Sequence, residues 1–237
     1  MFDELWPGGP RFLQDSEAFP LCTDSVLLAD FANPIRAKRI LDLGCGAGVL
    51  TVLLADKAPT ANVCGIDILP ESIAVCRKNM TANGHDPACI CTGDLRQYRS
   101  FYEAGSFDLI VSNPPYFPAG SGYSAPNDAR AAAREERNCT LSELCQAAGY
   151  LLKWGGSFAL VHRPERLSEL FCTLTQSGME PKRLRMVQYR PESAPNLVLA
   201  EARRGGKPGL IVEAPLILSG IDGAASPEIQ RIYHRGI

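Results

Sequence analysis

Short apolar runs alternate with amphipathic stretches through the middle of the chain. A short apolar run that ends in polar residues is typical of a buried strand, whereas apolar positions repeating every three or four residues indicate a helix. Strands are predicted at 39–43, 61–68, 88–92, 107–112 and 157–162, and helices at 26–31, 49–55, 140–153 and from Pro70 to Asn83–Gly84. This alternation predicts an α/β fold with a doubly wound, mostly parallel sheet.

The two ends of the chain carry weaker patterns. Residues 1–20 lack periodicity and predict a turn-rich lead-in. Within the C-terminal part, 180–237, the runs 183–189 and 197–203 predict an antiparallel hairpin that closes the sheet. Because 46% of the 237 residues are hydrophobic, we expect one domain over 1–237 with a full core.

Polar residues stand where the predicted strands end. Asp42, Asp67 and Asp94 lie at or after the ends of the first three strands, and Asn113 follows the fourth. The carboxyl ends of parallel strands meet at one edge, where doubly wound sheets bind ligands, so we expect these side chains to share a site. After Asp42, the glycines Gly44, Gly46 and Gly48 allow a sharp turn and a close approach of a ligand to the backbone.

The acids indicate the charge of that ligand. The glycine-rich loop lacks the Gly-Lys-Ser/Thr ending of a P-loop, and Asp42 would repel a pyrophosphate. A ligand with an ammonium and a sulfonium group fits better, which indicates S-adenosylmethionine. Asp67, followed by Ile68, is placed to accept from ribose hydroxyls.

Two further acids have alternative roles. Asp94, followed by Leu95, would accept from the adenine amino group, or else cap a helix. Thr23 and Asp24 either cap the helix over 26–31 or reach the site.

The segment Asn113-Pro114-Pro115-Tyr116 suits a planar amine. The Asn113 side-chain oxygen and the Pro114 carbonyl would accept both hydrogens of an –NH2 group, because the two prolines remove competing N–H donors. Tyr116 would supply a flat face for stacking. The alternative is an ordinary strand followed by a proline-rich turn.

Composition excludes several other classes. The nine cysteines form no Cys-x-x-Cys pair and there are three histidines, which predicts reduced cysteines in the cytoplasm and no metal site. The N-terminus does not resemble a secretory signal, and no apolar run approaches a membrane span. The formal net charge of −2 gives no global field for nucleic acid.

Local charge patterns allow nucleic-acid binding nonetheless. Over 180–207, seven cations, among them Lys182, Arg183 and Lys207, oppose three acids. The polar segment 117–139, which contains Arg134, is either a lid beside the site or a solvated helix face. His162 is expected to be a packing histidine.

Together, Asp42 to Gly48, Asp67, Asp94 and the Asn113–Tyr116 motif resemble the class I S-adenosylmethionine-dependent methyltransferases. That resemblance implies a Rossmann-like, seven-stranded sheet and S-adenosylhomocysteine as product. More specifically, segments across 12–237 are similar to the tRNA(Val) adenine-N6 methyltransferase family, which modifies the adenosine 3′ of the anticodon. These segments are 23–28, 113–117, 133–135, 162–167, 205–209 and 215–218; Cys22 departs from the family's usual glycine.

The resemblance implies an enzyme that binds tRNA, and the candidates for contacts with the RNA backbone are Arg134, Arg163, Arg166 and the basic C-terminal hairpin. A monomer is favoured, although the sequence leaves the oligomeric state open. One alternative is a protein-glutamine N5-methyltransferase, although such enzymes usually carry a helical domain before the glycine-rich motif. Another is a non-catalytic S-adenosylmethionine- or RNA-binding protein.

Overall fold

The computed structural model describes residues 2–13, 23–114 and 139–234. Its strands are β1 Phe2–Glu4, β2 Arg11–Leu13, β3 Arg39–Leu43, β4 Asn62–Asp67, β5 Ile90–Thr92, β6 Phe107–Ser112, β7 Leu152–His162, β8 Met179–Gln188, β9 Pro195–Arg204, β10 Ile211–Val212 and β11 Leu216–Ile217. Its α-helices are α1 Thr23–Phe31, α2 Val49–Lys57, α3 Pro70–Ala82, α4 Tyr98–Phe101, α5 Leu141–Leu151, α6 Leu167–Gln176 and α7 Pro227–Ile232, with 3₁₀ turns at Leu95–Gln97 and Pro164–Arg166.

The central sheet has the order β5-β4-β3-β6-β7-β9-β8, and β10 and β11 both pair with β8. Strands β3 to β7 are parallel to one another, whereas β9 runs antiparallel to both β7 and β8. This topology confirms the predicted doubly wound sheet with its C-terminal hairpin. The two-residue strands β10 and β11 add to the seven that were predicted.

Strand alternation distributes the core over both faces of the sheet. On β3, Ile40 packs in the cluster formed with α1, α2 and α3, whereas Leu41 and Leu43 pack in the cluster formed with α5 and α6. Because side chains alternate along a strand, Asp42 shares the face of Ile40. It therefore points towards α2, at the level where the ligand site was predicted.

The start of β7 differs from the prediction. Helix α5 ends at Leu151, and Gly155–Gly156 lies within β7 instead of ending the helix. The register with β6 steps from Phe107–Leu152 to Leu109–Ser157, so β7 bulges there, and Gly155 has a φ of 81°. The two glycines serve this bulge.

The N-terminal segment also differs, because residues 2–13 form the β1–β2 hairpin instead of turns alone. These three-residue strands are too short for a periodic signal. The Asn83 side chain accepts from the Arg11 amide and donates to its carbonyl, which holds β2 against α3. This contact spans 72 positions, so the local pattern does not indicate it.

Within the described parts, no helix is both long and apolar enough to cross a membrane. Over the same residues, no three histidine, cysteine, aspartate or glutamate side chains group as metal ligands.

Candidate active site

The parallel strands bring the predicted residues to one edge of the sheet, which we call the carboxyl edge. In the strand order β5, β4, β3, β6, this edge carries Asp94 after β5, Asp67 at the end of β4, the Asp42 loop after β3 and Asn113 after β6. Four positions scattered over 72 residues of sequence thus become neighbours along one edge.

The glycine-rich loop leaves a space beside its backbone. Gly44 and Gly46 have φ angles of 76° and 51°, and a Cβ added at either would meet no atom within 4 Å. Gly48, with φ 85°, serves packing instead, since its Cβ would overlap the Cys76 sulfur on α3. The first two glycines therefore provide an open cradle, whereas the third allows α2 and α3 to pack closely.

Asp42 lies beneath this cradle and is only 1% exposed. Its Oδ2 accepts a hydrogen bond of 2.7 Å from the Thr51 hydroxyl on α2. Burial away from water raises the pKa of Asp42 to about 7, although the Thr51 bond opposes the shift. A carboxylate in this position favours a cationic ligand and disfavours a phosphate.

Asp67 organises the turn after β4. Its Oδ2 accepts from the Gly46 amide and its Oδ1 from the Leu69 amide, both over 2.9 Å. Burial raises the pKa of Asp67, while these two bonds lower it. Asp67 thus links the glycine-rich loop to the start of α3, and the half-buried Ile68 lies between the two turns.

Asp94 has the capping role that was one of its two predicted alternatives. Its Oδ1 accepts from the Arg96 amide at the start of the 3₁₀ turn that contains Leu95. The Arg96 guanidinium also pairs with it, at 2.6 Å between Nη2 and Oδ2, and this hydrogen bonding lowers the pKa of Asp94. A ligand amino group would share Asp94 with Arg96.

Asn113 is held by a residue of α1. Its Nδ2 donates to the buried Ser25 hydroxyl over 3.0 Å, and the Ser112 hydroxyl donates to the Leu43 carbonyl over 2.7 Å. The first bond fixes the rotation of the Asn113 amide, and the second ties the end of β6 to the end of β3. Asn113 and Pro114 are both half-buried, as is Asp24 in the first turn of α1.

Sequence reasoning missed two of the supporting residues. Ser25 directly follows Thr23 and Asp24, for which a cap before the helix was one predicted role, but α1 already begins at Thr23 and includes all three. The buried Asn79 of α3 donates to the Ala47 carbonyl and accepts from the Leu13 amide, each over 2.8 Å. It thereby joins the glycine-rich loop to β2, and no sequence pattern indicated this.

The predicted RNA-binding cations lie on different strands of the sheet. Arg163 and Arg166 follow β7 at the carboxyl edge, where Arg163 pairs with Glu165 at 3.5 Å and Arg166 pairs with Glu169 at 2.8 Å. Lys182 lies within β8 and Lys207 follows β9, and the Lys182 ammonium donates to the Lys207 carbonyl. The structure therefore separates these two groups.

Arg183 is neutralised by its neighbours. It forms ion pairs of 2.8 Å with both Glu201 and Glu213. His162 is 1% exposed, and burial lowers its pKa to about 4, which suits a neutral packing histidine. Several predicted features lie outside the described residues, namely Cys22, Pro115, Tyr116, Arg134 and the segment 117–138.

Comparison with known proteins adds a family and a fold. A family model described as the methyltransferase small domain matches residues 22–175. A tRNA1(Val) (adenine(37)-N6)-methyltransferase from Tolumonas auensis is 33% identical over 218 residues, which cover 91% of this chain and 88% of the relative. A protein of the same name from Porphyromonas gingivalis is 34% identical over 221 residues, or 89% of this chain and 85% of the relative.

Among solved structures, a predicted O-methyltransferase from Agrobacterium tumefaciens superposes with a TM-score of 0.72. It is 22% identical, and the match covers 90% of this chain and 96% of that one. At this identity the likeness supports the fold.

Proposed function

This chain belongs to the methyltransferase small domain family, alongside the tRNA1(Val) (adenine(37)-N6)-methyltransferases, and from that membership we propose that it methylates N6 of an adenosine in tRNA. The adenosine next to the anticodon of tRNA(Val) is the proposed target. The observation that carries this proposal is the bond between Asn113 and Ser25, which orients a planar amide beside the glycine-rich cradle.

The residues at the carboxyl edge fit S-adenosylmethionine. The open space beside Gly44 and Gly46 would admit it, and the buried acids Asp42 and Asp67 favour its cationic end and its ribose hydroxyls. Asp24, Ile68, Asp94 and Leu95 complete the proposed cofactor contacts, and Gly48 supports the loop through its packing against Cys76. When bound, S-adenosylmethionine supplies an electrophilic methyl group and leaves as S-adenosylhomocysteine.

The chain's own part in the reaction is orientation. The Asn113 oxygen and the Pro114 carbonyl would accept the two amine hydrogens, so that the N6 lone pair points out of the plane of the base. Such positioning of a reactant can lower a barrier by several kcal/mol, so no strongly basic side chain is required before transfer. The surplus proton on N6 then passes to water. Tyr116, with Pro115 before it, is proposed to stack on the flipped base.

The RNA contacts near the target are proposed to come from Arg163 and Arg166, because both follow β7, the strand beside β6. Arg134 is a further candidate. Lys182, Arg183 and Lys207 lie on or after β8 and β9, farther across the sheet from β6 than Arg163 and Arg166, and would meet a part of the same RNA farther from the target.

The direct test is to incubate the protein with S-adenosylmethionine labelled in its methyl group and to separate tRNA, ribosomal RNA and protein. We expect label in the tRNA fraction, released on digestion as N6-methyladenosine. Label in a glutamine-containing peptide would instead establish the protein N5-methyltransferase alternative, and cofactor binding without any transfer would establish a non-catalytic protein.

A further inference from the structure

Tyr189 stands at the tip of the β8–β9 hairpin and is 56% exposed. The guanidinium of Arg190 lies 5.7 Å from the centroid of its ring. A flat ring beside a guanidinium is the arrangement on which proteins stack unpaired nucleotide bases. Exposed aromatic residues are common on protein surfaces, so exposure alone does not indicate a binding role. Such a role depends on where Tyr189 lies and on how its backbone is held.

The sheet register places Tyr189 beyond the carboxyl edge and to one side of the proposed acceptor site. Ser112 pairs with Leu160, Leu160 with Ala200, and Ala200 with Leu184, so the end of β6 is level with Leu184 on β8. Tyr189 follows Leu184 by five residues, which corresponds to a rise of roughly 15 Å beyond that level. Since β7 and β9 lie between β6 and β8, the lateral separation is about 14 Å.

The hairpin tip therefore lies to one side of Asn113, and a segment of a few nucleotides would span the distance between Asn113 and Tyr189. Arg163 lies between the two, because it follows β7, the strand next to β6. An RNA strand that delivers a base to Asn113 would pass Arg163 and reach Tyr189.

Backbone hydrogen bonds hold the chain on both sides of Tyr189. Its carbonyl accepts from the Ser219 amide over 2.9 Å, and β11 pairs with the end of β8 just before it. After it, the Ser193 hydroxyl accepts from the Arg190 amide and donates to the Arg190 carbonyl. A side chain on a backbone held in this way has less conformational freedom to lose when it binds a base than one on a free loop.

We propose that Tyr189 and Arg190 form a stacking platform for an unpaired nucleotide that flanks the target adenosine. This inference rests on the proposed function and adds a contact outside the segment matched by the family model, 22–175. Because Glu192 lies in the same turn as Arg190, the tip has no excess positive charge for phosphates. We therefore expect the platform to bind a base through the face of the Tyr189 ring rather than a phosphate through charge.

The probe for the test is an anticodon stem-loop RNA labelled with a fluorophore, with S-adenosylhomocysteine present to prevent turnover. Loss of one stacked base typically weakens binding by about 1–3 kcal/mol, so Tyr189→Ala should raise the RNA Kd roughly 5- to 150-fold. Tyr189→Phe keeps the ring face and should bind within about twofold of wild type. The affinity for S-adenosylhomocysteine should be unchanged in both variants, which also checks folding.

Trp154→Ala is the matched control. Trp154 is 79% exposed, but it lies near the start of β7, at the opposite edge of the sheet. Its removal should leave the stem-loop Kd unchanged. The ratio of the Tyr189→Ala and wild-type Kd values should also stay constant between about 50 and 200 mM salt, because stacking involves no release of counterions.

The outcomes separate the two proposals. If wild type methylates the stem-loop adenosine while Tyr189→Ala binds it as tightly as wild type, the platform is wrong and the proposed function stands. An equal loss in Tyr189→Phe would also overturn stacking, and an equal loss in Trp154→Ala would show that the contact is not local. If wild type neither binds nor methylates any RNA, both proposals fail.

Discussion

Asn113 at the end of β6 and Ser25 on α1 are joined by a hydrogen bond of 3.0 Å, although 88 positions separate them in the sequence. The donor is the amide nitrogen of Asn113, so the serine hydroxyl determines how the amide is rotated. Since Ser25 is buried and belongs to a helix packed on the sheet, the orientation is imposed by the core.

Removing the Ser25 hydroxyl should slow turnover without weakening cofactor binding. A hydrogen bond of this kind is worth about 1 kcal/mol, so Ser25→Ala should lower kcat roughly three- to tenfold. The measurement is steady-state methyl transfer together with the Kd for S-adenosylmethionine. Ser72→Ala is the matched control, because Ser72 is a buried helical serine whose hydroxyl has no partner among the described residues. Equal kcat values in the two variants would show that Ser25 does not orient Asn113.

The glycines of the loop should separate into two classes. Gly48→Ala forces a methyl group into the Cys76 sulfur and should lower the Tm markedly. Adding Cys76→Ala should restore part of that loss. Gly46→Ala places its Cβ in open space, so only the left-handed backbone is penalised, by about 1–2 kcal/mol.

Although Gly46→Ala should lower stability less than Gly48→Ala, it should have a clear effect on cofactor binding. Its added methyl group would enter the proposed cradle, so Gly46→Ala should weaken S-adenosylmethionine binding at least about tenfold, or 1.4 kcal/mol. A Gly46→Ala protein with wild-type cofactor affinity would contradict the placement of the cofactor beside this loop.

Asp42 should make the stability of the protein depend on pH. The pKa of Asp42 is about 7 in the folded protein, against an ordinary value of 3.8 in the unfolded chain, so between these pH values the folded state binds the extra proton. The stability contribution of Asp42 is therefore present at low pH and is lost as pH rises from about 4 through 7.

The comparison that isolates this effect is with Asp42→Asn, whose amide oxygen can still accept from Thr51. The Tm of wild type minus that of the variant should fall between pH 5 and pH 8. Parallel Tm curves over this range would show that the folded pKa of Asp42 is not raised.

The sequence was sufficient where structure depends on local pattern. The run 107–112 is mostly apolar and ends at the polar Ser112 and Asn113, and it forms β6 with the same bounds. The position of Asp42 on the face of α2 follows from strand alternation, and the polar residues at strand ends follow from parallel topology.

Contacts that depend on strand register or on distant segments could not be predicted from the sequence. The excess of cations over 180–207 suggested a basic patch, but Arg183 pairs across β8 and β9 with Glu201 and is neutralised by it. Asn79 links β2 with the glycine-rich loop, and this requires α3 to be docked first. The bulge in β7 likewise depends on its pairing with β6.

The central claim is that Asn113 orients the acceptor amine and does little to hold the cofactor. Its most direct test is the single-turnover rate of methyl transfer to tRNA by Asn113→Ala, measured beside the Kd for S-adenosylmethionine. We predict a rate at least about tenfold lower, equivalent to 1.4 kcal/mol or more of lost orientation, with a Kd within about twofold of wild type. An unchanged rate, or a cofactor Kd that rises as much as the rate falls, would contradict the account.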